Sequence, residues 1–287
     1  MKAELHSLRW AALFALALVL GAMGSSRADD VSAWDADSRS AIRLIAGTIS
    51  NSGAAAPLRA GIELRLDSGW KTYWRYAGDS GLPPKFDFND SENVKSATVL
   101  WPAPRRFPDG AGGNSIGYPG NVIFPVHIVA EDPAKPVLLR VKASYGVCEK
   151  ICVPAAGKVE LMLTSGPASE EASLAAAEAR VPKPVALGAG GTLTIRGAHR
   201  EVVRPGQARV IVDVTAPAGM NIDLFAEGPA PQWSLPLPEP VDNGPDGVRR
   251  FAFAVDGVPP GSRIEGALLK LTLVAEGEAI EVTTHLD

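Results

Sequence analysis

The chain has 287 residues and a formal net charge of −4, so it lacks the basic excess that would neutralise the phosphates of a nucleic acid. Its length allows one or two domains, each able to bury its own core. Its 29 glycines and 24 prolines, with β-branched and aromatic residues spread between them, are typical of short strands joined by turns.

Residues 1–28 are predicted to be a secretory signal peptide. The apolar run Trp10–Leu20 follows a basic start and is too short to span a bilayer, which needs roughly 20 residues. Ser26-Arg27-Ala28 places small residues where a signal peptidase reads, so cleavage is expected before Asp29. We therefore expect a soluble protein of the periplasm, with an uncleaved N-terminal anchor as the alternative.

Residues 29–165 alternate strand-like runs with turn clusters rich in Gly, Pro and Asn. The runs are AGIELRLDSGWKTYWRY (60–76), SATVLWPAPRRF (96–107), NVIFPVHIVA (121–130), PVLLRVKASYGV (136–147) and GKVELMLT (157–164). This pattern predicts an antiparallel, immunoglobulin-like β-sandwich.

Residues 166–189 are predicted to be a helical, proline-ended linker. Ser169 can cap the helix, acidic residues occupy its first turn, and Pro182 ends it. Alanine dominates its faces, which favours a connection between domains over the alternative of a partner-binding helix.

Residues 190–287 return to strand patterns, with about six short runs separated by turns. They predict a second β-sandwich-like domain, so the whole chain is expected to be all-β apart from the linker.

Cys148 and Cys152 are the only cysteines, and three residues separate them. Apolar residues alternate with polar ones before Cys148 and after Cys152, so the two kinds of residue lie on opposite faces of each strand. Both cysteines fall on the polar face. If the two runs form a hairpin with the loop Glu149–Ile151, both thiols point away from the core. Directly opposed strand residues are close enough for a disulfide.

This hairpin has a definite register, in which the two paired residue numbers add to 300. It sets Arg140 against Glu160, which is favourable, and Lys142 against Lys158, which is unfavourable. The like-charged pair predicts a β-bulge near Gly146 or Pro154 that shifts the pairing.

Three roles remain open for the cysteine pair. A plain structural disulfide is common in exported proteins, but a five-residue loop removes only about 2 kcal/mol of unfolded-state entropy, against about 4.7 kcal/mol for a loop of 100 residues. A redox switch suits an exposed disulfide that closes a small loop. Copper on the two thiolates is the third role, whereas His127, His199 and His285 lack the spacing for a zinc site. No metal or cofactor is expected.

Four motifs resemble the N-terminal periplasmic domain of the DsbD/ScsB thiol:disulfide interchange reductases. They are GWKTYWRYAGDSGLPPKFDF (69–88), LWPAPRRF (100–107), GYPGNVIFPV (117–126) and YGVCEKICVP (145–154). The second half resembles, less specifically, the extra β domain of ScsB-type members. The resemblance implies a cysteine pair that takes electrons from a membrane-embedded thiol carrier and passes them to oxidised periplasmic proteins, such as thioredoxin-like proteins or disulfide isomerases.

The resemblance also assigns site residues. Cys148 and Cys152 match the redox pair, Tyr73 matches an aromatic residue beside it, and the segment Asn114–Tyr118 matches the end of the loop that caps the disulfide. The partner and cap candidates are Tyr73, Asn114, Ser115, Tyr118, Tyr145 and Gly146. Cys152 is expected to face the partner.

The chain departs from the family's best-known members at the cap and in its extent. The loop DGAGGNS (109–115) offers no aromatic residue to shield the cysteines, and no transmembrane or thioredoxin-like domain follows. Separate proteins are therefore expected to reduce this pair. The rival hypothesis is a non-redox binding or chaperone-like module with a structural disulfide, acting in metal (copper) tolerance or envelope assembly.

Overall fold

The structure of the protein, a computed structural model, describes residues 29–49, 57–78, 80–110, 112–204, 207–245 and 247–286. The predicted signal peptide lies outside the described residues. The strands of the first half are β1 (Asp35–Ala36), β2 (Ser40–Ala46), β3 (Leu58–Leu66), β4 (Lys71–Gly78), β5 (Lys85–Asp87), β6 (Val94–Val99), β7 (Arg105–Pro108), β8 (Asn114–Pro119), β9 (Val122–Ala130), β10 (Val137–Cys148) and β11 (Cys152–Leu163). Helix α1 (Glu171–Ala179) follows.

The second half contains only strands among its described residues. They are β12 (Lys183–Pro184), β13 (Thr194–Arg204), β14 (Gln207–Thr215), β15 (Ile222–Glu227), β16 (Glu239–Val241), β17 (Arg249–Ala254), β18 (Leu268–Ala275) and β19 (Glu278–His285). The described residues include no helix long and apolar enough to cross a bilayer.

The first half is a sandwich of two antiparallel sheets. One sheet has the order β1-β2-β3-β9-β6, and the other has the order β11-β10-β4-β8-β7 with β5 beside β10. Alternate residues of β3, β9 and β10 meet in one buried core because successive side chains of a strand point to opposite faces. Phe124 lies at its centre, with the Trp101 and Tyr118 rings packed edge-on at 5.1 and 5.3 Å between centroids.

The second half forms two further four-stranded sheets, ordered β12-β19-β18-β15 and β13-β14-β17-β16, around their own apolar cluster. The all-β prediction, with a sandwich followed by a second sandwich-like unit and a helical link, is therefore confirmed. The two cores are not fully separate, because Phe225 and Leu237 of the second half belong to the buried cluster of the first.

Two strands escaped the sequence patterns. β2 is almost entirely buried, so its SAIRLIA run does not alternate clearly between polar and apolar residues. β8 covers Asn114–Pro119, although the family resemblance places Asn114–Tyr118 at the end of a loop. Gly and Pro mark turns in a sequence even where they lie within a short strand.

Helix α1 begins differently from the prediction. Its N-cap is Glu170, which makes no side-chain capping bond, and the backbone N–H of Ser169 bonds to the carboxylate of Asp30 instead. Leu174 is buried, and Arg59 of β3 pairs with Glu178 at 2.5 Å. The helix is thus held against the first sandwich by an apolar contact and ion pairs.

Candidate functional site

The cysteine pair closes the longest hairpin of the first sandwich. β10 and β11 pair without interruption from Val137↔Leu163 to Cys148↔Cys152, so every pair of residue numbers adds to 300. Cys148 and Cys152 form a disulfide with their Cα atoms 4.1 Å apart, and Glu149–Ile151 is the loop. The register and loop predicted from the sequence are confirmed.

The predicted bulge near Gly146 or Pro154 is wrong, since Gly146 and Pro154 oppose each other in the unbroken ladder. Lys142 does face Lys158, but the Lys142 Nζ atom lies 2.5 Å from a carboxylate oxygen of Asp90. This neighbouring carboxylate screens the like-charged pair, so the strands need no register shift.

The two sulfurs differ in exposure. Cys148 is only 7% exposed and packs with Tyr73 and Ala77 in a small cluster apart from the sandwich core, whereas Cys152 is exposed. The thiols lie on the face away from the core, as predicted, but the expectation that both are open is wrong for Cys148. Tyr73 and Ala77 cover it because β4 lies directly beside β10 at this end.

Tyr73 is the aromatic residue over the disulfide. Its hydroxyl oxygen lies 2.8 Å from Sγ of Cys148 and 3.0 Å from Sγ of Cys152. Burial raises the pKa of Tyr73, and the negative charge of Asp109 raises it further. The phenol therefore keeps its proton and can donate a hydrogen bond to a sulfur.

Two glycines make room for the Tyr73 ring. A Cβ atom on Gly81 would come within 2.3 Å of the ring, and one on Gly146 would come within 2.9 Å of it. Gly81 also has φ of 142°, a conformation that other L-residues rarely adopt. The segment Ser80–Leu82 therefore packs on the ring, and the Gly146 N–H donates to the Leu82 carbonyl at 3.0 Å.

The loop before β8 supports this cover from the side. The Ser115 hydroxyl donates to the Ser80 carbonyl at 3.1 Å, and the Ser80 hydroxyl donates to Asp109 at 3.1 Å. Asn114 pairs with Pro108 at the start of β8. The loop thus ties the Ser80–Leu82 segment in place and contributes no aromatic residue.

The structure brings only part of the predicted cap set to the disulfide. Tyr73 contacts both sulfurs, Gly146 contacts the Tyr73 ring, and Ser115 holds the covering segment. Tyr118 and Tyr145 lie in the sandwich core, because their strand positions point inward. Their hydroxyls bond to the Pro102 carbonyl and the Ser40 hydroxyl respectively.

Sequence reasoning missed Ala77, Gly81, Leu82 and Asp109 as part of this site. Residues 80–84 appear in the sequence only as part of a turn cluster, and nothing local indicates that Gly81 packs on the Tyr73 ring. Within the described part of the chain, no group of three or more His, Cys, Asp or Glu side chains could hold a metal ion.

Comparison with known proteins identifies a family that resembles the segment around the disulfide. Residues 47–164 match the family described as "Thiol:disulfide interchange protein DsbD, N-terminal". This segment matches that family. Both cysteines and Tyr73 lie within the matched segment, as do Gly81 and Asp109.

The fold similarity extends beyond the matched segment into the second half. The crystal structure of the N-terminal periplasmic domain of ScsB from Proteus mirabilis matches with a TM-score of 0.68 and 20% sequence identity, covering 90% of this chain and 98% of that chain. At this identity the likeness concerns the fold. A comparison with curated proteins finds no match.

Proposed function

We propose that the Cys148–Cys152 disulfide is a redox centre for thiol–disulfide exchange in the periplasm. In this proposal a membrane-embedded thiol carrier reduces the pair, and the reduced pair reduces oxidised periplasmic proteins. The observation that carries the proposal is a disulfide within the segment that matches the DsbD N-terminal family, set at a hairpin end with one sulfur exposed and the other covered.

The exposure of Cys152 supports a proposed order of attack. A thiolate of the donor attacks Sγ of Cys152, the disulfide breaks, and Cys148 leaves as a thiolate. The Tyr73 O–H can donate to this thiolate, which lowers its energy as a leaving group. The donor's second thiolate then attacks the donor's first sulfur, which is joined to Cys152 in the mixed disulfide. Cys152 leaves as a thiolate, and the donor leaves as a disulfide, oxidised by two electrons.

The same two sulfurs then transfer the electrons to an acceptor. The Cys152 thiolate attacks the disulfide of the acceptor and forms a mixed disulfide. Cys148 then attacks Sγ of Cys152, the intramolecular disulfide forms again, and the acceptor leaves as a dithiol. Two electrons pass in each half of the cycle. The small loop allows this because opening it removes only about 2 kcal/mol of constraint.

The reduction potential of the pair is the test. The purified protein is equilibrated in graded thiol buffers, and alkylated cysteines are counted by mass. A potential near −200 mV supports exchange, whereas structural bonds lie below roughly −300 mV. A value below −300 mV would leave the structural disulfide of a non-redox module as the remaining interpretation.

Location and domain division are proposed together with the function. The mature chain is proposed to begin at Asp29 in the periplasm, with the redox domain over residues 29–165, a linker over 166–189 and the second domain over 190–287. Sequencing the N-terminus of the protein recovered from a periplasmic extract tests the first point, and a chain that still carries residues 1–28 would contradict it.

A further inference from the structure

Strand β4 contains a β-bulge close to the disulfide. Lys71–Tyr73 pair with β8, and pairing resumes only at Gly78. β10 pairs with β4 at Lys71 and Thr72 alone. The register of β4 against β8 therefore shifts between Tyr73 and Gly78, which forms a β-bulge within β4. This bulge starts directly after Tyr73, the residue that covers the disulfide.

Residues of the second half bind the bulge. Arg75 is bound by two carboxylates, at 2.6 Å from Glu227 of β15 and by a second contact to Glu281 of β19. The Tyr76 hydroxyl donates to the Leu235 carbonyl. All these contacts cross between the two halves.

The contacts around Arg75 are protected from water. The Arg75 side chain is 20% exposed, and its two carboxylate partners are 18% and 19% exposed. The guanidinium also lies over the Trp74 ring at 4.3 Å, and that ring packs on Phe225 of the second half with centroids 5.9 Å apart. A partly buried, bidentate pair of this kind holds geometry better than an exposed one.

The held residues lie between the two side chains that cover Cys148. Tyr73 precedes the bulge, Ala77 ends it, and both pack on the buried sulfur. We propose that the second half of the chain positions this cover, with Arg75 as the positioning residue that fixes Tyr73 over the disulfide. The second half then controls how easily a thiol reaches the pair. This inference deepens the proposed redox function and rests on it for its significance.

A second arginine provides a matched control. Arg106 of β7 also crosses between the halves, to Asp223 at 2.8 Å and to Glu239, and its side chain is 16% exposed. Arg106 lies in β7, which pairs with β8 and not with β4. Arg75→Gln and Arg106→Gln each remove one guanidinium that binds two carboxylates of the second half. They differ in whether the broken contact adjoins Tyr73.

The experiment measures how fast dithiothreitol reduces the disulfide in the full chain, by acid quenching, alkylation and mass. Dithiothreitol supplies both thiols and leaves as its cyclic disulfide, so no other reductant is needed. Arg75→Gln is expected to speed reduction roughly three- to tenfold, in the lower part of the range for coupled neighbouring residues. The displaced Tyr73 ring opens both sulfurs to the thiol, and this gain in access outweighs the loss of the hydrogen bond from its hydroxyl. Arg106→Gln is expected to stay within about twofold of the wild type. Equal rates for the two variants would overturn the inference.

A double-mutant cycle shows whether Arg75 acts through Tyr73. In a Tyr73→Ala background the cover is already lost, so Arg75→Gln should no longer change the rate. An undiminished effect in that background would contradict the proposed route. If Arg75→Gln fails to fold, Glu281→Gln and Arg75→Lys weaken the same contact more mildly, and the same comparison is made with Glu239→Gln and Arg106→Lys.

The two proposals fail in different ways. A wild-type potential below roughly −300 mV contradicts the redox function whatever the variants do. A wild-type potential near −200 mV with no difference between the two arginine variants keeps the redox function and removes only the positioning role.

Discussion

Two antiparallel hairpins, one in each half, end in different ways. β18–β19 closes through the two-residue turn Glu276-Gly277, in which Gly277 has φ of 78°. β10–β11 closes through three residues without a glycine and is joined across its last pair by the disulfide. The first closure depends on backbone conformation, and the second depends on a covalent bond that a thiol can open.

The difference shows what the disulfide contributes. Besides the cysteine pair, eleven residue pairs hold the register of β10 and β11. The inward side chains of these strands are buried in the core. The bond is therefore not needed to define the hairpin. A bond that can open without unfolding its strands suits repeated exchange.

The largest expected effect separates the two sulfurs. With Cys148→Ala, the remaining Cys152 thiol should react with iodoacetamide about ten- to a hundredfold faster than the Cys148 thiol does in Cys152→Ala, because Cys148 is covered. Alkylation rates measured by mass at one pH give the ratio. Equal rates would show that Tyr73 and Ala77 do not shield Cys148 in solution.

Reduction should leave the β10–β11 hairpin in place and lower stability modestly. We expect the free energy of unfolding to fall by about 2 kcal/mol, the constraint of a five-residue loop. Urea unfolding with and without reductant measures the loss, and amide hydrogen exchange of Val137–Tyr145 follows the ladder. Loss of protection along the whole ladder would mean that the disulfide defines the hairpin after all.

Removing the Tyr73 hydroxyl should affect reactivity while leaving the cover. In a Cys152→Ala background, Tyr73→Phe keeps the ring but removes the donor 2.8 Å from Sγ of Cys148. A hydrogen bond to a charged group contributes about 1.5–3 kcal/mol, so the thiolate fraction and the alkylation rate should fall about tenfold. A faster reaction would mean that the ring shields the sulfur more than its hydroxyl activates it.

Replacing the glycine in the turn between β18 and β19 should lower the stability of the protein. Gly277→Ala forces an L-side chain into positive φ, which costs about 1 kcal/mol, although the space around it is open. Gly197→Ala is the matched control, since that position also has open space and does not have a positive φ. Urea unfolding of both variants gives the difference, and equal stabilities would contradict the role of the turn.

The smallest effect concerns the like-charged pair of β10–β11. Lys142 lowers the pKa of Asp90 through a hydrogen bond and its charge. The stabilising contribution of Asp90 is therefore present above its ordinary pKa of 3.8 and is lost as pH falls through the lowered value. Asp90→Asn should unfold at slightly lower urea than the wild type at pH 7, and the gap should close at pH 3. A gap that persists at pH 3 would assign the effect to another contact.

The local pattern of the sequence was enough to predict the hairpin but not its surroundings. The alternation of apolar and polar residues predicted the register in which paired residue numbers add to 300. A slip of one residue would turn every apolar side chain outward. Tyr73 was identified through the family resemblance. The bulge was predicted wrongly because Asp90, distant in sequence, compensates the two lysines.

The cover of the disulfide depends on contacts that no local pattern encodes. Gly81 and Leu82 fold over Tyr73 only once β4 and β10 are paired. Tyr118 and Tyr145 were assigned to the cap by their motifs, yet their strand positions place them in the core. The Arg75 contacts join residues more than 150 positions apart and have no signal in a single sequence.

The core shared between the halves has a consequence for synthesis on the ribosome. Trp74 is fully buried, and Phe225 of the second half provides part of its cover. The first sandwich therefore leaves the ribosome with an apolar surface still uncovered, and that surface persists until β15 has been made. A fragment that ends near residue 165 keeps this surface exposed permanently, which makes self-association the expected fate of the redox domain when it is produced alone.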